Sequence, residues 1–305
     1  MNTLSLTQPV LLGGASGLLG SAFRRALELH GVQSQQLVRG APGNGQISWN
    51  PTAAQPVADP STLEGCSAAV LLSGANLVGH RWTESYRREI AASRVGATLA
   101  LSRMLAGLRT PPAVLAVASA IGIYGNRGDE LLDETSAPGT GYLAQLCQEW
   151  EEAAEPARAA GIRVVHLRFS VILSRHGGAL AQMLPLFRLG LGGKLGNGRQ
   201  WMSWMSLTDA ARAILFALES SALSGPVNFS APEPVRNAEF TRILGQALHR
   251  PAILPAPAFA LRLAFGQMAN EALLAGARVL PAKLQAAGFA FTHPTLAQAF
   301  TAELA

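Results

Sequence analysis

Three glycines at every third position lie close to the N-terminus, in the stretch LLGGASGLLG. Gly14, Gly17 and Gly20 follow a short apolar segment and precede an amphipathic one. In that setting one glycine makes a tight turn, one lets a pyrophosphate approach the backbone, and one lets a helix pack closely on a strand. The N-terminus of the helix then faces the phosphates. The spacing therefore predicts a dinucleotide-binding loop, and a flexible turn in a glycine-rich chain is the alternative.

The residues at the end of the second predicted strand distinguish between the two nicotinamide dinucleotides. In NAD enzymes a carboxylate at this point binds the ribose 2′-hydroxyl, whereas this sequence reads Val38-Arg39-Gly40. A guanidinium can form two parallel hydrogen bonds with a 2′-phosphate. Arg39 therefore favours NADP(H) as the cofactor over NAD(H), and a solvated arginine at the end of a strand is the alternative.

Composition restricts the class of protein. Hydrophobic residues are 49% and charged residues 14% of the chain, as in a globular protein with a sizeable core. The net charge of +5 includes no run of more than two Lys or Arg, so nucleic-acid binding is not expected. The start of the chain does not have the pattern of a secretory signal, and an apolar stretch at 251–266 is broken by prolines and Arg262. These features predict a cytoplasmic protein without a membrane span.

Short apolar runs and amphipathic segments alternate along most of the chain, as buried parallel strands and helices do. Strands are predicted at 9–13, 35–40, 68–75, 113–122, 162–173 and 226–230, and helices at 18–30, 83–108, 142–160 and 208–220. Thr83 is the predicted N-cap of the long helix. The alternation predicts an α/β fold with a doubly wound parallel sheet of the Rossmann type. We expect an NAD(P)-binding domain at 1–232 and a smaller, mainly helical substrate-side domain at 233–305.

Several longer blocks resemble the extended short-chain dehydrogenase/reductase superfamily, and within it the sugar-epimerase-like branch of YfcH-like epimerase family proteins. The blocks are GGASGLLG, LLSGANLVGHRWTESYRREIAASRVGAT, ASAIGIYGNRGDE and MLPLFRLGLGGKLGNGRQWMSWMSLTDAARAI. The segment PVRNAEFTRILGQALHRPAILPAPAFALRLAFG is similar to the C-terminal domain of that branch. The resemblance covers nearly the whole chain, and it implies the fold and the binding of a dinucleotide.

The resemblance also implies which residues contact the cofactor. The cofactor loop of the superfamily matches Gly14, Ser16, Gly17, Leu18 and Leu19. The backbone that follows the fourth strand of the superfamily and lies along the cofactor matches Leu72, Ser73, Gly74 and Ala75. In the segment SRVGAT, Arg94 is implied to lie near the cofactor, although the asparagine of the family is absent there.

Catalysis in the superfamily uses a hydroxyl on the substrate oxygen and a tyrosine whose pKa is lowered by a lysine four residues later. By the resemblance, Ser119 matches the hydroxyl position to within one residue, and Tyr142 matches the tyrosine. The lysine is absent, because the residue at that position is Leu146. A full tyrosine–lysine mechanism is therefore not expected, and Tyr142 fits equally well as a packing residue.

Other polar and aromatic residues are candidates for substrate binding. The loop GHRWTE contains His80, Arg81 and Trp82 beside the expected substrate pocket. The histidine could titrate near neutrality, and the arginine could hold an anionic substrate. A solvated loop is the alternative. Tyr124 lies near the predicted pocket, although packing at a strand end is the simpler interpretation. The resemblance adds three residues from the stretch GNGRQWMSW, namely Arg199, Gln200 and Trp204.

Two functions of different classes fit this sequence. The first is an NADP(H)-binding oxidoreductase or epimerase-like enzyme that acts on a small carbonyl or sugar-like substrate. The second is a catalytically silent NADP(H)-binding sensor or scaffold, which the missing lysine supports. No metal site is expected, because the acidic loop at 126–135 has no His or Cys at ligand spacing. The oligomeric state is left open, with a homodimer as one alternative.

Overall fold

The computed structural model describes residues 6–77 and 81–304. Along these residues the strands are β1 (Val10–Gly13), β2 (Ser34–Val38), β3 (Gln46–Ser48), β4 (Ala68–Leu71), β5 (Val114–Ala120), β6 (Leu131–Leu132), β7 (Arg163–Phe169), β8 (Val171–Leu173), β9 (Trp201–Met202), β10 (Trp204–Ser206), β11 (Gly225–Phe229), β12 (Val235–Arg236) and β13 (Arg278–Val279). The α-helices are α1 (Leu18–Leu29), α2 (Glu84–Ala91), α3 (Ala97–Ala106), α4 (Tyr142–Glu152), α5 (Glu155–Ala159), α6 (Gly178–Arg188), α7 (Leu207–Glu219), α8 (Asn237–Ala247), α9 (Ala258–Phe265), α10 (Ala282–Ala286) and α11 (Leu296–Leu304).

The central sheet has seven strands in the order β3-β2-β1-β4-β5-β7-β11, and every neighbouring pair is parallel. The strand order reverses direction between β1 and β4. In open α/β sheets, ligands bind outside the carboxyl ends of the strands at such a reversal. The predicted doubly wound parallel sheet is confirmed, and the position of a ligand site follows from it.

Neighbouring residues of β1 face opposite sides of this sheet, and both sides are buried. Val10 and Leu12 pack on one face in a cluster with Ile214 of α7. Leu11, between them, packs on the other face in a cluster with Leu101 of α3. A strand that is covered on both faces has no solvent side for polar residues, which explains the continuous apolar run in the sequence.

The predicted long helix at 83–108 is present as α2 and α3, joined by a π turn over Ala92–Gly96. Thr83 is its N-cap, as predicted, and its hydroxyl accepts the N–H of Tyr86 at 3.2 Å. Within the described residues, no helix combines the length and the apolar character that crossing a bilayer requires.

Segments from both sides of residue 232 pack against one another. Trp204 shares a buried cluster with Phe240 of α8 and Phe300 of α11, whose rings are 5.2 Å apart. Conversely, Leu284 and Phe289, which follow residue 232, belong to the core cluster on one face of the central sheet. The division into domains at 232/233 therefore stays a prediction, because both segments contribute to the same clusters.

The carboxylate of Asp209 connects the start of α7 to the C-terminal segment. Its oxygens accept the backbone N–H groups of Thr292 and His293, each at 2.8 Å, and a hydrogen bond from Arg212 at 2.9 Å. The side chain is fully buried at the first turn of the helix. Removing the carboxylate would leave two backbone donors without an acceptor.

We expect Asp209→Ala to lower the free energy of unfolding by about 2–4 kcal/mol, the cost of leaving buried donors unpaired. Urea denaturation followed by circular dichroism measures this change. Glu219→Ala, at the other end of α7, is the control and should change stability by less than about 1 kcal/mol. Equal unfolding midpoints for the two variants would contradict the role assigned to Asp209.

Candidate active site at the carboxyl edge of the sheet

The glycine loop connects β1 to α1, and its three glycines serve different purposes. Gly14 has a φ of +83°, and a Cβ there would lie 2.7 Å from the backbone nitrogen of Ser73. A Cβ on Gly20 would lie 2.0 Å from the carbonyl oxygen of Gly14. The fold itself therefore requires glycine at both positions.

Gly17 is different, because the packing of the protein does not require it. Its φ of −73° suits any residue, and among the described atoms a Cβ would meet only the carbonyl oxygen of Gly14, at 3.4 Å. Glycine at this N-cap is needed only if another molecule approaches the backbone from outside. A pyrophosphate at the N-terminus of α1 is such a molecule, so the residues present fit a dinucleotide.

The remaining residues predicted for this loop lie around the same helix start. Ser16 is exposed beside Gly17, and Leu19 packs on the core of the sheet. The side chain of Leu18 packs close to Gly177, the residue just before α6. A Cβ added to Gly177 would lie 3.4 Å from it. No acidic residue occupies the first turn of α1, so the positive end of the helix is free of a competing charge.

The segment Leu72–Ala75, predicted to lie along the cofactor, follows β4 directly and is fixed by two neighbouring side chains. The N–H of Ala75 donates to the hydroxyl of Ser93 at 3.0 Å, and Arg94 donates to the carbonyl of Ala75 at 2.9 Å. The guanidinium of Arg94 also lies 5.3 Å from the ring centroid of Trp150. Arg94 is buried, and it holds the segment in place rather than extending into solvent.

Arg39 lies directly after β2, the strand that pairs with β1. Its side chain is exposed, and within the described part of the chain it has no hydrogen bond or ion pair. Because β1 and β2 are parallel, their carboxyl ends meet at the same edge of the sheet. The guanidinium therefore lies at the same edge of the sheet as the glycine loop, and no hydrogen bond or ion pair with the described residues engages it.

A cavity of about 530 Å³ lies beside the carboxyl ends of β5 and β7. The turn after β5 contributes Ile121 and Gly122, and the end of β7 contributes Phe169 and Ser170. The other walls come from α4, α6, α9 and the segments at 191–203 and 270–277. The cavity and the glycine loop are neighbours. Ala179, which lines the cavity, follows Gly177 and Gly178, and both of these glycines lie next to the side chain of Leu18 at the start of α1.

Glu271 is the only ionisable side chain that lines this cavity within residues 6–77 and 81–304. Its carboxylate accepts the N–H of Leu143 at 2.9 Å, in the first turn of α4, and a hydrogen bond from the side chain of Gln267. Sequence reasoning missed this residue. A single acidic residue in the apolar segment AFGQMANEALLAG was the available signal.

Ser119, the predicted catalytic hydroxyl, does not line the cavity. Its oxygen donates to the carboxylate of Glu151 at 2.7 Å, and the same carboxylate forms two hydrogen bonds of 2.8 Å with Arg168. Burial opposes ionisation of Glu151, but the hydrogen bonds and charge of Arg168 lower the pKa of the carboxyl overall. In this geometry Ser119 supports the ion pair, and its assignment as the catalytic hydroxyl, which the resemblance implies, stays a prediction.

Tyr124 belongs to the same buried network. Its hydroxyl donates to Asn228 at 2.8 Å and accepts from Arg168 at 3.0 Å. The side chain is fully buried and does not reach the cavity, and burial raises the pKa of the phenol. Tyr124 is placed as a packing residue at the end of β5, in line with the simpler of the two interpretations.

Tyr142 also faces away from the cavity, although the next residue, Leu143, lines it. The ring of Tyr142 lies 5.5 Å from that of Trp82 and 5.2 Å from the guanidinium of Arg87, whose carbonyl accepts its hydroxyl at 3.3 Å. Burial raises the pKa of the phenol, so it is neutral near pH 7. Leu146, at the position of the missing lysine, is buried in the same apolar cluster.

The predicted substrate loop is used for packing where it is described. Trp82 is buried, and its indole N–H donates to the carbonyl of Leu77 at 3.0 Å. Arg81 donates to the carbonyl of Ala264 at 3.2 Å and thereby contacts α9. His80 lies outside the described residues. Neither Arg81 nor Trp82 lines the cavity.

Of the three residues predicted in the stretch GNGRQWMSW, Gln200 alone lines the cavity, together with its neighbour Trp201. The amide of Gln200 donates to the carbonyl of Leu273 at 3.0 Å. Arg199 is exposed and lies outside the wall. Trp204 is fully buried in a core cluster and does not line the cavity, so its assignment to substrate binding stays a prediction without support from this geometry.

The acidic loop at 126–135 is held by its own side chains. Arg127 donates to Glu130 at 2.7 Å, and Asp133 accepts the N–H of Thr135 at 2.8 Å. A search of the described ranges finds no group of three or more His, Cys, Asp or Glu side chains that could hold a metal ion.

Family models match nearly the whole of this architecture. The NAD dependent epimerase/dehydratase family matches residues 10–229, and a domain of unknown function, DUF1731, matches residues 256–303. The chain belongs to the NAD-dependent epimerase/dehydratase family. The suspected membership of the epimerase-like branch of the dehydrogenase/reductase superfamily is confirmed, and with it the Rossmann-type fold.

Several epimerase proteins are similar to almost the full length of this chain. The epimerase family protein Mb2239 of Mycobacterium bovis is 45% identical over 95% of both chains. The crystal structure of the human epimerase family protein SDR39U1 with NADPH is 33% identical, with a TM-score of 0.89 over 97% of this chain and 98% of that one. A nucleoside-diphosphate sugar epimerase of Corynebacterium glutamicum is 34% identical, with a TM-score of 0.79 over 97% of this chain and 58% of that one.

Valine at two of the loop glycines separates ligand binding from folding in this epimerase family protein. Gly17→Val should abolish dinucleotide binding and leave the unfolding midpoint nearly unchanged, because the side chain meets little of the protein. Gly20→Val should destabilise the fold, because its Cβ would overlap the carbonyl of Gly14. Calorimetric titration with NADPH and thermal unfolding measure the two effects. A Gly17→Val protein with wild-type affinity would show that the loop is only a turn.

Proposed function

We propose that this chain is an NADP(H)-dependent oxidoreductase or epimerase-like enzyme of the cytoplasm, acting on a small carbonyl or sugar-like compound. The observation that carries the proposal is the adjacency of two features. A glycine loop that fits a pyrophosphate and a cavity of about 530 Å³ lie at the same edge of a parallel sheet. A cavity of this size can enclose a small organic molecule.

The open N-terminus of α1 and the exposed guanidinium of Arg39 support NADP(H) as the cofactor. Gly17 leaves the N-terminus of α1 open to the pyrophosphate, and Arg39 is positioned after β2 to bind a 2′-phosphate. The human relative SDR39U1, similar over the whole chain, was crystallised with NADPH. A nicotinamide cofactor, when bound, supplies or accepts the hydride that changes the oxidation state of the substrate.

The protein must then exchange a proton with the substrate oxygen, which gains or loses one as the carbonyl and hydroxyl forms interconvert. Ser119 and Tyr142 face other parts of the molecule, whereas the carboxyl group of Glu271 lines the cavity. We propose that Glu271 performs this exchange, directly or through one water molecule. The apolar walls around it reduce the access of bulk water to the reacting atoms.

A catalytically silent NADP(H)-binding sensor or scaffold is the second candidate function. Neither residue matched to the superfamily's catalytic hydroxyl and tyrosine faces the cavity, and this observation favours it. A screen for NADPH oxidation across carbonyl compounds, run beside a cofactor-binding assay, separates the two functions. Turnover of any compound supports the enzyme, and tight cofactor binding without turnover supports the sensor.

Arg39→Ala tests the preference for NADPH. We expect NADPH affinity to fall by about 10- to 150-fold, which corresponds to roughly 1.5–3 kcal/mol for a charged, two-point contact, while NADH affinity stays the same. Calorimetric titration measures both affinities, and Arg103→Ala, an exposed position on α3, is the control. Equal affinity of the wild-type protein for the two cofactors would remove the basis for NADP(H).

Glu271→Gln tests the proton exchange, with Tyr142→Phe as the matched variant. Glutamine keeps an oxygen that can accept the N–H of Leu143, so the fold should be preserved. We expect Glu271→Gln to lower kcat by about 10²- to 10⁴-fold, as for loss of a general acid or base. Tyr142→Phe should lower kcat by less than about 10-fold. The reverse order of the two losses would identify the tyrosine as the proton donor.

A further inference from the structure

The charges on the cavity wall restrict the class of ligand that can enter. Within the described residues, no arginine or lysine lines the cavity, and Glu271 supplies a single carboxyl group. Phosphate and carboxylate groups are held in proteins mainly by guanidinium and ammonium groups or by helix N-termini. In the first turn of α4, which reaches the wall, the N–H of Leu143 already donates to Glu271. Among residues 6–77 and 81–304, the wall therefore offers no arginine or lysine side chain to an anionic ligand.

Two arginines that lie behind the wall are already engaged. Arg262 donates to the side-chain oxygen of Asn270 at 2.9 Å, and Asn270 itself lines the cavity. The guanidinium of Arg236 lies 4.3 Å from the ring centroid of Trp201, another wall residue, and donates to Asp129. These arginines fix the wall from outside, so their charges do not face a bound molecule directly.

The amide side chains in the wall are used in a similar way. Gln200 donates to the carbonyls of Leu195 and Leu273, and the side-chain oxygen of Asn237 accepts the N–H of Leu195 at 2.8 Å. Their hydrogen bonds hold the loop that encloses the cavity. Most of the remaining lining side chains are apolar, which leaves few polar partners for a ligand with many hydroxyl groups.

Apolar side chains also surround the mouth of the cavity. Leu186, Leu191 and Leu254 line it and are 54%, 50% and 51% exposed. On α9, Leu261 and Phe265 line the cavity from the inner side of the helix. Grouped apolar residues at a surface often mark the entrance of a ligand-binding groove.

We propose that the cavity binds an uncharged, mainly apolar ketone or aldehyde, and that nucleoside-diphosphate sugars and other anions are excluded. This substrate class rests on the proposed function. A diphosphate buried without a cationic partner loses its hydration with no compensation, and the carboxyl group of Glu271 adds repulsion when it is ionised. The proposal separates this chain from the Corynebacterium glutamicum relative that is described as a nucleoside-diphosphate sugar epimerase.

Calorimetric titration of the NADP(H)-loaded protein with a matched pair of ligands tests the proposal. The pair is 2-decanone and 9-oxodecanoate, which have the same carbon chain and differ by one terminal carboxylate. UDP-glucose is the third ligand. We expect 2-decanone to bind at least about 10-fold more tightly than 9-oxodecanoate, because the carboxylate has no cationic partner. UDP-glucose should show no measurable binding.

A charge added at the mouth should change this preference. Leu186→Lys places an ammonium group at a half-exposed lining position, and it should improve 9-oxodecanoate affinity by about 3- to 10-fold. Leu189→Lys is the matched control, because Leu189 is exposed nearby but does not line the cavity. An equal gain in both variants would mean that the anion binds at the surface, and it would contradict the proposal.

Binding and turnover are measured separately, so the substrate class and the proposed function can fail independently. Tighter binding of UDP-glucose or 9-oxodecanoate than of 2-decanone overturns the substrate class, and so does the absence of binding by 2-decanone and its shorter and longer homologues. Reduction of NADP+ by UDP-glucose, with oxidation of a sugar hydroxyl to a ketone, would overturn the substrate class and leave the oxidoreductase in place. Binding of the ketones without NADPH oxidation would leave the ligand class in place and count against the enzyme.

Discussion

The close approach of α1 to the loop that follows β1 is the constraint on which the rest of the site depends. A Cβ on Gly20 would overlap the carbonyl of Gly14, so glycine alone permits this approach. The approach fixes where the N-terminus of α1 points. It also brings Leu18 against Gly177, and therefore sets the position of α6, one wall of the cavity. One contact between a helix and a turn thus positions both the glycine loop and the neighbouring cavity.

A buried ion pair uses the position at which a catalytic hydroxyl was expected. Glu151 of α4 and Arg168 of β7 form two hydrogen bonds of 2.8 Å, and Ser119 of β5 donates to the same carboxylate. A buried charge must be both paired and hydrogen-bonded. The serine completes the acceptor capacity of Glu151, and in doing so it connects two neighbouring strands to the helix that forms another wall. Its hydroxyl is therefore committed to the scaffold.

The sequence predicted the sheet and the glycine loop because both are local. Continuous apolar runs such as that of β4 mark strands that are buried on both faces, and the spacing of Gly14, Gly17 and Gly20 is read within a few residues. Orientation was harder to predict. Tyr142 and Leu143 are neighbours, yet only the leucine faces the cavity. The contact of Glu271 was harder still to predict, because it meets Leu143 from 128 positions away, and an isolated acidic residue in an apolar segment was the only local signal.

The π turn over Ala92–Gly96 changes the rotational phase between the two ends of the helix that contains it. An α-helix advances by about 100° per residue, and a π turn absorbs one additional residue. The extra residue lets Ile90 face the cluster around Trp82 while Leu101 faces the sheet. It also turns two consecutive side chains, Ser93 and Arg94, toward the same strand end. A one-residue deletion here would rotate one end of the helix out of its contacts. The number of residues between the two ends therefore cannot change by even one without loss of those contacts.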